Sequence, residues 1–147
     1  MQVKDIMTSG DIACCTPNAT LKEAAELMNA HDCGAIPVLA GKRDRHLEGV
    51  ITDRDITTRA VAKGFDPSEH TVSECMSRSV YTVRPEDSLE DCGRVMSEHQ
   101  VRRVPVVDRD GVCCGMVAQA DIARAADAEA TAGVVSEVSR PSGGSRA

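Results

Sequence analysis

Gly49-Val50-Ile51-Thr52-Asp53-Arg54-Asp55-Ile56 reads as a short apolar strand running straight into the start of a helix. Thr52-x-x-Asp55 has the pattern of a capping box, in which hydroxyl and carboxylate satisfy free N–H groups of a first helical turn. The chain writes this stretch twice. Gly115-Met116-Val117-Ala118-Gln119-Ala120-Asp121-Ile122 repeats it 66 residues later, keeping Gly, Asp and Ile and replacing the Thr by Ala118.

Working outward, the duplication extends over most of the chain. Pro17 and Pro85, Leu21 and Leu89, Met28 and Met96, His31 and His99, and Pro37-Val38 and Pro105-Val106 are each 68 residues apart. Val3-Lys4-Asp5-Ile6-Met7 recurs as Val72-Ser73-Glu74-Cys75-Met76. From Pro17 onward the offset changes only across the polar turns Gly41 to His46 and Asp108 to Gly111, where two copies of one fold tolerate a change in length.

Each copy has the same order of signals. A helical turn ends at Met7 or Met76, and a brief apolar strand follows (Ile12 to Cys15; Val80 to Val83). Thr20-x-x-Glu23 and Ser88-x-x-Asp91 then open helices with apolar stripes at helical spacing, Leu21-Ala24-Ala25-Met28 and Leu89-Cys92-Val95-Met96. Two strands follow in each copy (Ala35 to Leu39 and Leu47 to Ile51; Val104 to Val107 and Val112 to Val117). A last helix covers Thr52 to Ala62 or Ala118 to Ala126. The predicted fold is mixed α/β (α+β): two tandem β-α-β-β-α repeats packed around a pseudo-two-fold axis. Repeat 1 spans 1–62, a linker 63–71, repeat 2 72–126, and a flexible C-terminal tail 127–147. Neither repeat is large enough to be secure alone, so each is expected to cover the other.

Composition removes several classes of function. The formal charge is −6, there is no Trp, and Tyr81 and Phe65 are single. A broad nucleic-acid surface is not indicated, because neither net positive charge nor aromatic stacking platforms are present. No apolar run approaches the roughly 20 residues of a membrane span. The start of the chain carries no signal-peptide pattern, so a cytoplasmic location is expected. Seven Cys (14, 15, 33, 75, 92, 113, 114) form no Cys-x-x-Cys pair and are odd in number. They read as small buried hydrophobes in a reducing compartment, with thiol sensing a weaker alternative and no metal site indicated. Known catalytic motifs are missing too, so an enzyme is not expected.

The repeat unit resembles the CBS (cystathionine-beta-synthase-like) family from Val3 to Ala126. The resemblance rests on Val3 to Met7, the Pro-Val pairs, the Gly49 and Gly115 stretches, and Glu98-His99-Gln100-Val101-Arg102-Arg103-Val104-Pro105-Val106. It implies a non-catalytic, ligand-sensing pair of repeats, similar in whole-chain pattern to the small bacterial two-repeat members. It further implies a homodimer, and an adenosine-containing ligand such as AMP, ATP or S-adenosylmethionine between the repeats.

By the resemblance, Thr52 faces phosphate and Asp55 holds the ribose, with Asp121 as the weaker equivalent. Arg103 is the better basic candidate of the Arg102-Arg103 pair, since a guanidinium pairs bidentately with phosphate oxygens. With so few aromatic residues, aliphatic walls would hold the adenine: Ile12, Cys14, Ile36 and Pro37 for the first cleft, and Val80, Tyr81, Val104 and Pro105 for the second. His31 and His99 read as structural residues at helix C-termini. No attached effector domain is expected, so the signal would pass to a separate, unknown protein partner. A ligand-free, stress-related protein-interaction module is the alternative, since Thr52-x-x-Asp55 also caps a helix without any ligand.

Overall fold

The structure, a computed structural model, describes residues 1–137. Helix α1 (Leu21–His31) opens as its sequence predicts: Thr20 Oγ1 accepts the Glu23 N–H and the Glu23 carboxylate accepts the Thr20 N–H. Its counterpart α4 (Leu89–His99) has only half of the box. Ser88 Oγ accepts the Asp91 N–H, while the Asp91 carboxylate turns outward to Arg94 at 3.0 Å. Both helices end in a left-handed residue, Asp32 (φ 51°) and Gln100 (φ 54°), at equivalent positions. Leu21, Ala24 and Met28 of α1 and Cys92 and Met96 of α4 are buried.

Each helix leads into an antiparallel pair of strands: β1 (Ala35–Leu39) with β2 (Leu47–Thr52), and β3 (Arg103–Val107) with β4 (Cys113–Ala118). Helix α2 (Asp53–Arg59) follows β2, a 3-10 turn (Val61–Lys63) follows it, and α5 (Gln119–Glu137) follows β4. The mixed α/β, duplicated architecture is as the sequence indicates.

Two expectations are corrected. The leading strands at Ile12 to Cys15 and Val80 to Val83 shrink to one parallel bridge each, Cys15 to Val38 and Val83 to Val106. The reason is the proline of each Pro-Val pair. Cys15 N–H donates to Pro37 O and Leu39 N–H to Cys15 O, and the next parallel bond would need an N–H that Pro37 does not have. Pro105 ends the Val83 bridge in the same way. Secondly, α5 continues to Glu137, so residues 127–137 are helical where a tail from Asp127 was expected. The run Ala125-Ala126-Asp127-Ala128-Glu129-Ala130 is rich in strong helix formers. The rest of the expected tail, 138–147, lies outside the described residues.

The two repeats exchange their leading segments. Helix α3 (Val72–Cys75) and Met76, the start of the second copy, are buried in the first core with Leu21, Ile36, Val38 and Ile51. Val3, Ile6 and Met7, the start of the first copy, pack into the second core with Cys92, Val104 and Val117. The exchange is tied by backbone. Ser77 and Val50 exchange N–H···O bonds of 2.9 and 3.0 Å, and Thr8 and Met116 exchange two of 2.9 Å.

These crossings explain the glycine that opens each decisive stretch. A Cβ at Gly49 would lie 2.5 Å from Ser77 O, and one at Gly115 would lie 2.5 Å from Thr8 O. Both obstacles are backbone oxygens that cannot swing aside. Gly49→Ala and Gly115→Ala are each expected to destabilise by about 1–3 kcal/mol, as overpacked sites do. In a melting experiment that is a Tm lower by roughly 3–10 °C. Gly93→Ala, inside α4 with nothing within 4 Å of the added carbon, is the control, with stability raised by about 0.5–1 kcal/mol.

Candidate functional site

Because the bridges at Cys15 and Val83 stop after one residue, the chain preceding each is free to leave the sheet. In the second repeat this brings Ser77, Ser79, Val80 and Tyr81 to the edge of a cleft of about 1250 Å³. Residues of both repeats line it. Cys33, Gly34, Ala35, Thr52, Asp53 and Arg54 come from the first, and Gln100, Arg102, Arg103, Pro105, Ala118 and Gln119 from the second.

Five of the residues singled out from sequence meet here: Thr52, Val80, Tyr81, Arg103 and Pro105. Thr52 is both a wall residue and the N-cap of α2. Its Oγ1 accepts the Asp55 N–H at 3.0 Å, and Asp55 Oδ2 accepts the Thr52 N–H at 3.0 Å. The capping box is therefore complete with nothing bound. Asp55 is the one charged side chain buried among the described residues, and it is not part of the cleft lining. Its second oxygen faces Arg59 Nε at 3.8 Å, and Arg59 Nη1 donates to the carbonyls of Cys75 and Met76 at 3.3 and 3.4 Å. The carboxylate is thus linked, through one guanidinium, to the end of the exchanged helix α3.

The remaining candidates lie elsewhere. Asp121 accepts the Ala118 N–H at 2.8 Å, pairs with Arg124, and borders a separate cavity of about 320 Å³ with Met1, Asp5 and Ile6. Ile12 and Cys14 pack in a small cluster with Leu39, Leu47, Cys113 and Met116. Ile36, Pro37 and Val104 are core residues. Ile36 and Val104 belong to the two apolar cores, and Pro37, on the opposite face of its strand from Ile36, is fully buried as well.

Sequence reasoning passed over Asp53, Arg54, Ser77, Ser79 and Gln119. Arg54 follows Thr52 by two residues at the same helix start, which was a usable signal. Ser77 and Ser79 reach the cleft only through the exchange of segments, which leaves no local mark. A Cβ at Gly34 would lie 2.7 Å from Asp53 Oδ2, the end of an exposed side chain that can turn aside.

The cleft differs in charge from the molecule. In a chain of net charge −6 it gathers Arg54, Arg102 and Arg103 against Asp32 and Asp53. None of the three arginines forms an ion pair among the described residues.

The model of the CBS domain family matches residues 3–61 and again 72–128. The chain belongs to the CBS domain family. This CBS pair is 45% identical over 121 residues to the CBS domain-containing protein YhcV of Bacillus subtilis (strain 168), covering 82% of each chain. It is 44% identical over 121 residues to hypoxic response protein 1 of Mycobacterium tuberculosis (strain ATCC 25618 / H37Rv), again 82% of each. Among solved structures, hypoxic response protein I with two coordinated zinc ions is similar, with a TM-score of 0.74 and 41% identity over 84% of this chain and 98% of that one. CBSX2 in complex with AMP has a TM-score of 0.72 and 28% identity, covering 85% and 95%. The CBS domain pair of protein MJ0100, with 5′-methylthioadenosine and S-adenosyl-L-methionine, has a TM-score of 0.74 and 29% identity, covering 88% and 98%.

Among the described residues of this CBS pair, no three His, Cys, Asp or Glu side chains group as a metal site, and no helix is long and apolar enough to cross a membrane. All seven thiols are free. Burial pushes Cys15 up to about 12 and Cys92 up to about 11, and raises Cys75, Cys113 and Cys114 as well. A thiol held protonated is a poor nucleophile, so these five are weak candidates for redox sensing.

Folded-state values above that of an ordinary thiol, about 8.5, mean stability that is complete below that pH and lost as pH rises towards the folded values. Denaturation midpoints should therefore fall between pH 9 and 11. Cys92→Ala should lower overall stability but flatten that fall by up to about 1.4 kcal/mol per pH unit. Urea melts across the range check this, and an unchanged slope would contradict it.

Proposed function

We propose that this CBS pair is a non-catalytic, cytoplasmic ligand sensor that binds an adenosine phosphate in the cleft between its repeats. It acts as a homodimer on a separate protein partner. The observation that carries the reading is the set of unpaired guanidinium groups, Arg54, Arg102 and Arg103, converging on one concave site in an acidic chain. Guanidinium groups without a carboxylate partner favour an anion with several acceptor oxygens, and phosphate fits. The AMP complex of the similar CBSX2 supports the nucleoside part. The MJ0100 complex supports an adenosine ligand more broadly, but the charge of this cleft favours a phosphate over a sulfonium.

In this reading Thr52 and Arg103 hold phosphate, with Arg102 and Arg54 beside them, and Val80, Tyr81 and Pro105 wall the base. Asp55, outside the cleft lining but bonded to Thr52, turns the oxygen that now faces Arg59 into the cleft to take the ribose hydroxyls. Binding would then draw Asp55 away from Arg59, and Arg59 from the carbonyls of Cys75 and Met76. A site on repeat 1 would thereby alter how the exchanged helix of repeat 2 is held. Differential affinity of that kind is all that a sensor requires. Repeat 1 as 1–62, a linker at 63–71 and repeat 2 from 72 onward are the units moved. Asp121, without a hydroxyl at Ala118, marks a weaker second site.

One observation favours the second reading, a ligand-free interaction module: the Thr52–Asp55 capping box is already satisfied.

A thermal-shift panel of AMP, ADP, ATP, S-adenosylmethionine and NAD on nucleotide-stripped protein separates the two. A ligand at a hundred times its Kd stabilises by about 2.7 kcal/mol, a Tm rise of roughly 5–10 °C. Arg103→Ala should keep the unliganded Tm and weaken binding roughly tenfold, the size of one charge-assisted hydrogen bond. No shift with any of the five would remove the sensor and leave the interaction module.

A further inference from the structure

The two hairpins are joined at their closed ends. Leu47 N–H donates to Gly111 O at 3.0 Å and Cys113 N–H to Arg45 O at 2.9 Å, an antiparallel bridge that sets His46 opposite Val112. Against this joint packs the small cluster of Ile12, Leu39 and Cys113, with Cys14, Leu47 and Met116. The cleft takes the other ends of the same hairpins, Ala35 with Thr52 and Arg103 with Ala118. Each hairpin is thus a short lever with the joint at one end and the cleft at the other.

His46 is the titratable ring at this joint. Its Nδ1 lies 2.5 Å from Asp44 Oδ1, and the same oxygen accepts the His46 backbone N–H at 3.1 Å. A carbon added to Gly111 of repeat 2 would lie 3.7 Å from the His46 ring, so the ring stands over the opposite turn. The groups that act on it are Asp44 from its own turn, and the backbone of Asp110 and the carboxylate of Asp108 from the other repeat. Arg45 acts on the Cys113 thiol, and the remaining charges of the two turns, Lys42, Arg43 and Arg109, are exposed. A positive ring is therefore met by acceptors of both repeats.

We propose that His46 is a proton-operated clasp between the repeats: its charged ring, held by Asp44, ties the turn of repeat 1 to Asp108 and Asp110 of repeat 2 and keeps the hairpin tips joined. The inference is independent of the nucleotide reading. The hydrogen bond and charge of Asp44 raise the pKa of His46, and His46 in turn holds the Asp44 carboxyl below its ordinary value. A raised histidine value means a contribution that is complete below about pH 6.5 and lost as pH rises through the folded value. A lowered carboxylate value means one that is present above about pH 3.9 and lost as pH falls through the folded value. The clasp is closed between those limits and opens as pH rises through neutrality. Ring and carboxylate are 54% and 59% exposed, so protons reach both without any opening of the core.

Amide hydrogen exchange of the full chain, followed by NMR and corrected for the intrinsic effect of pH, reads the joint directly. The Leu47 and Cys113 amides make its two bonds. Between about pH 6 and pH 8 they should lose protection roughly two- to fivefold, the range that an exposed ion pair supplies. The Val50 and Met116 amides, bonded to the exchanged segments, should hold level. His46→Gln and Asp44→Asn should show the weaker protection at both pH values, while His31→Gln should behave as the parent chain. The His46 ring signals should titrate above the ordinary histidine value, about 6.5, and return towards it in Asp44→Asn. Protection at Leu47 and Cys113 that is level with pH, or that falls equally in His46→Gln, would overturn the clasp. An equal loss at Val50 and Met116 would overturn it too, by making the effect global.

Discussion

Everything in this molecule depends on a backbone crossing made twice. The segment that begins each repeat leaves its own copy and closes the core of the other, and it crosses the opposite sheet at Gly49 and Gly115. The paired bonds of Ser77 with Val50, and of Thr8 with Met116, allow no room for a side chain between the crossing strands. Two apolar cores are thereby made mutually dependent: Val72, Cys75 and Met76 complete one, and Val3 completes the other. A unit of about 60 residues buries too little surface to be secure alone, and the exchange removes that weakness without lengthening either copy.

A second constraint follows from the prolines. Pro37 and Pro105 sit inside buried strands, where a missing N–H is normally a defect. Here each falls opposite a residue whose own hydrogen bonds go to the exchanged segment, so its pairing with Val50 or Met116 loses nothing. What each proline prevents is extension of the neighbouring parallel bridge. The chain before Val83 is therefore released from the sheet, which gives the cleft a wall of Ser77, Ser79, Val80 and Tyr81. The feature that looks like a strand signal in the sequence acts in the fold as a strand terminator.

Duplication did not produce two equal sites. Repeat 2 supplies Arg102 and Arg103 where repeat 1 has Gly34 and Ala35, and Tyr81 where repeat 1 has Ala13. Repeat 1 keeps the hydroxyl of Thr52 where repeat 2 has Ala118. One cleft thus receives a polar helix start from one copy and basic and aromatic side chains from the other. The buried Asp55, joined through Arg59 to the end of α3, gives this cleft a physical connection to the exchanged segment. Asp121 pairs instead with Arg124 on its own helix, so the second copy lacks that connection.

The amino-acid sequence by itself determined the duplication, the order of elements, the helix starts at Thr20 and Thr52, and the apolar stripes, because these are local: periodicity, caps and turns act over a few residues. It also singled out Thr52, Arg103, Val80, Tyr81 and Pro105, but assigned Val80, Tyr81 and Pro105 to a second cleft apart from Thr52; the structure lines one cleft with all five. Only the tertiary structure decided which repeat each leading segment serves, because an apolar helical turn fits either core and its register is set by bonds to residues some 30 to 100 positions away. It likewise decided that Ile36, Pro37 and Val104 are buried and do not line the cleft. It decided that Asp55 is occupied by its own helix cap, and that Arg54 and Arg102 join Arg103. An apolar strand has two faces of identical sequence character, and which one meets solvent is settled by what packs against it.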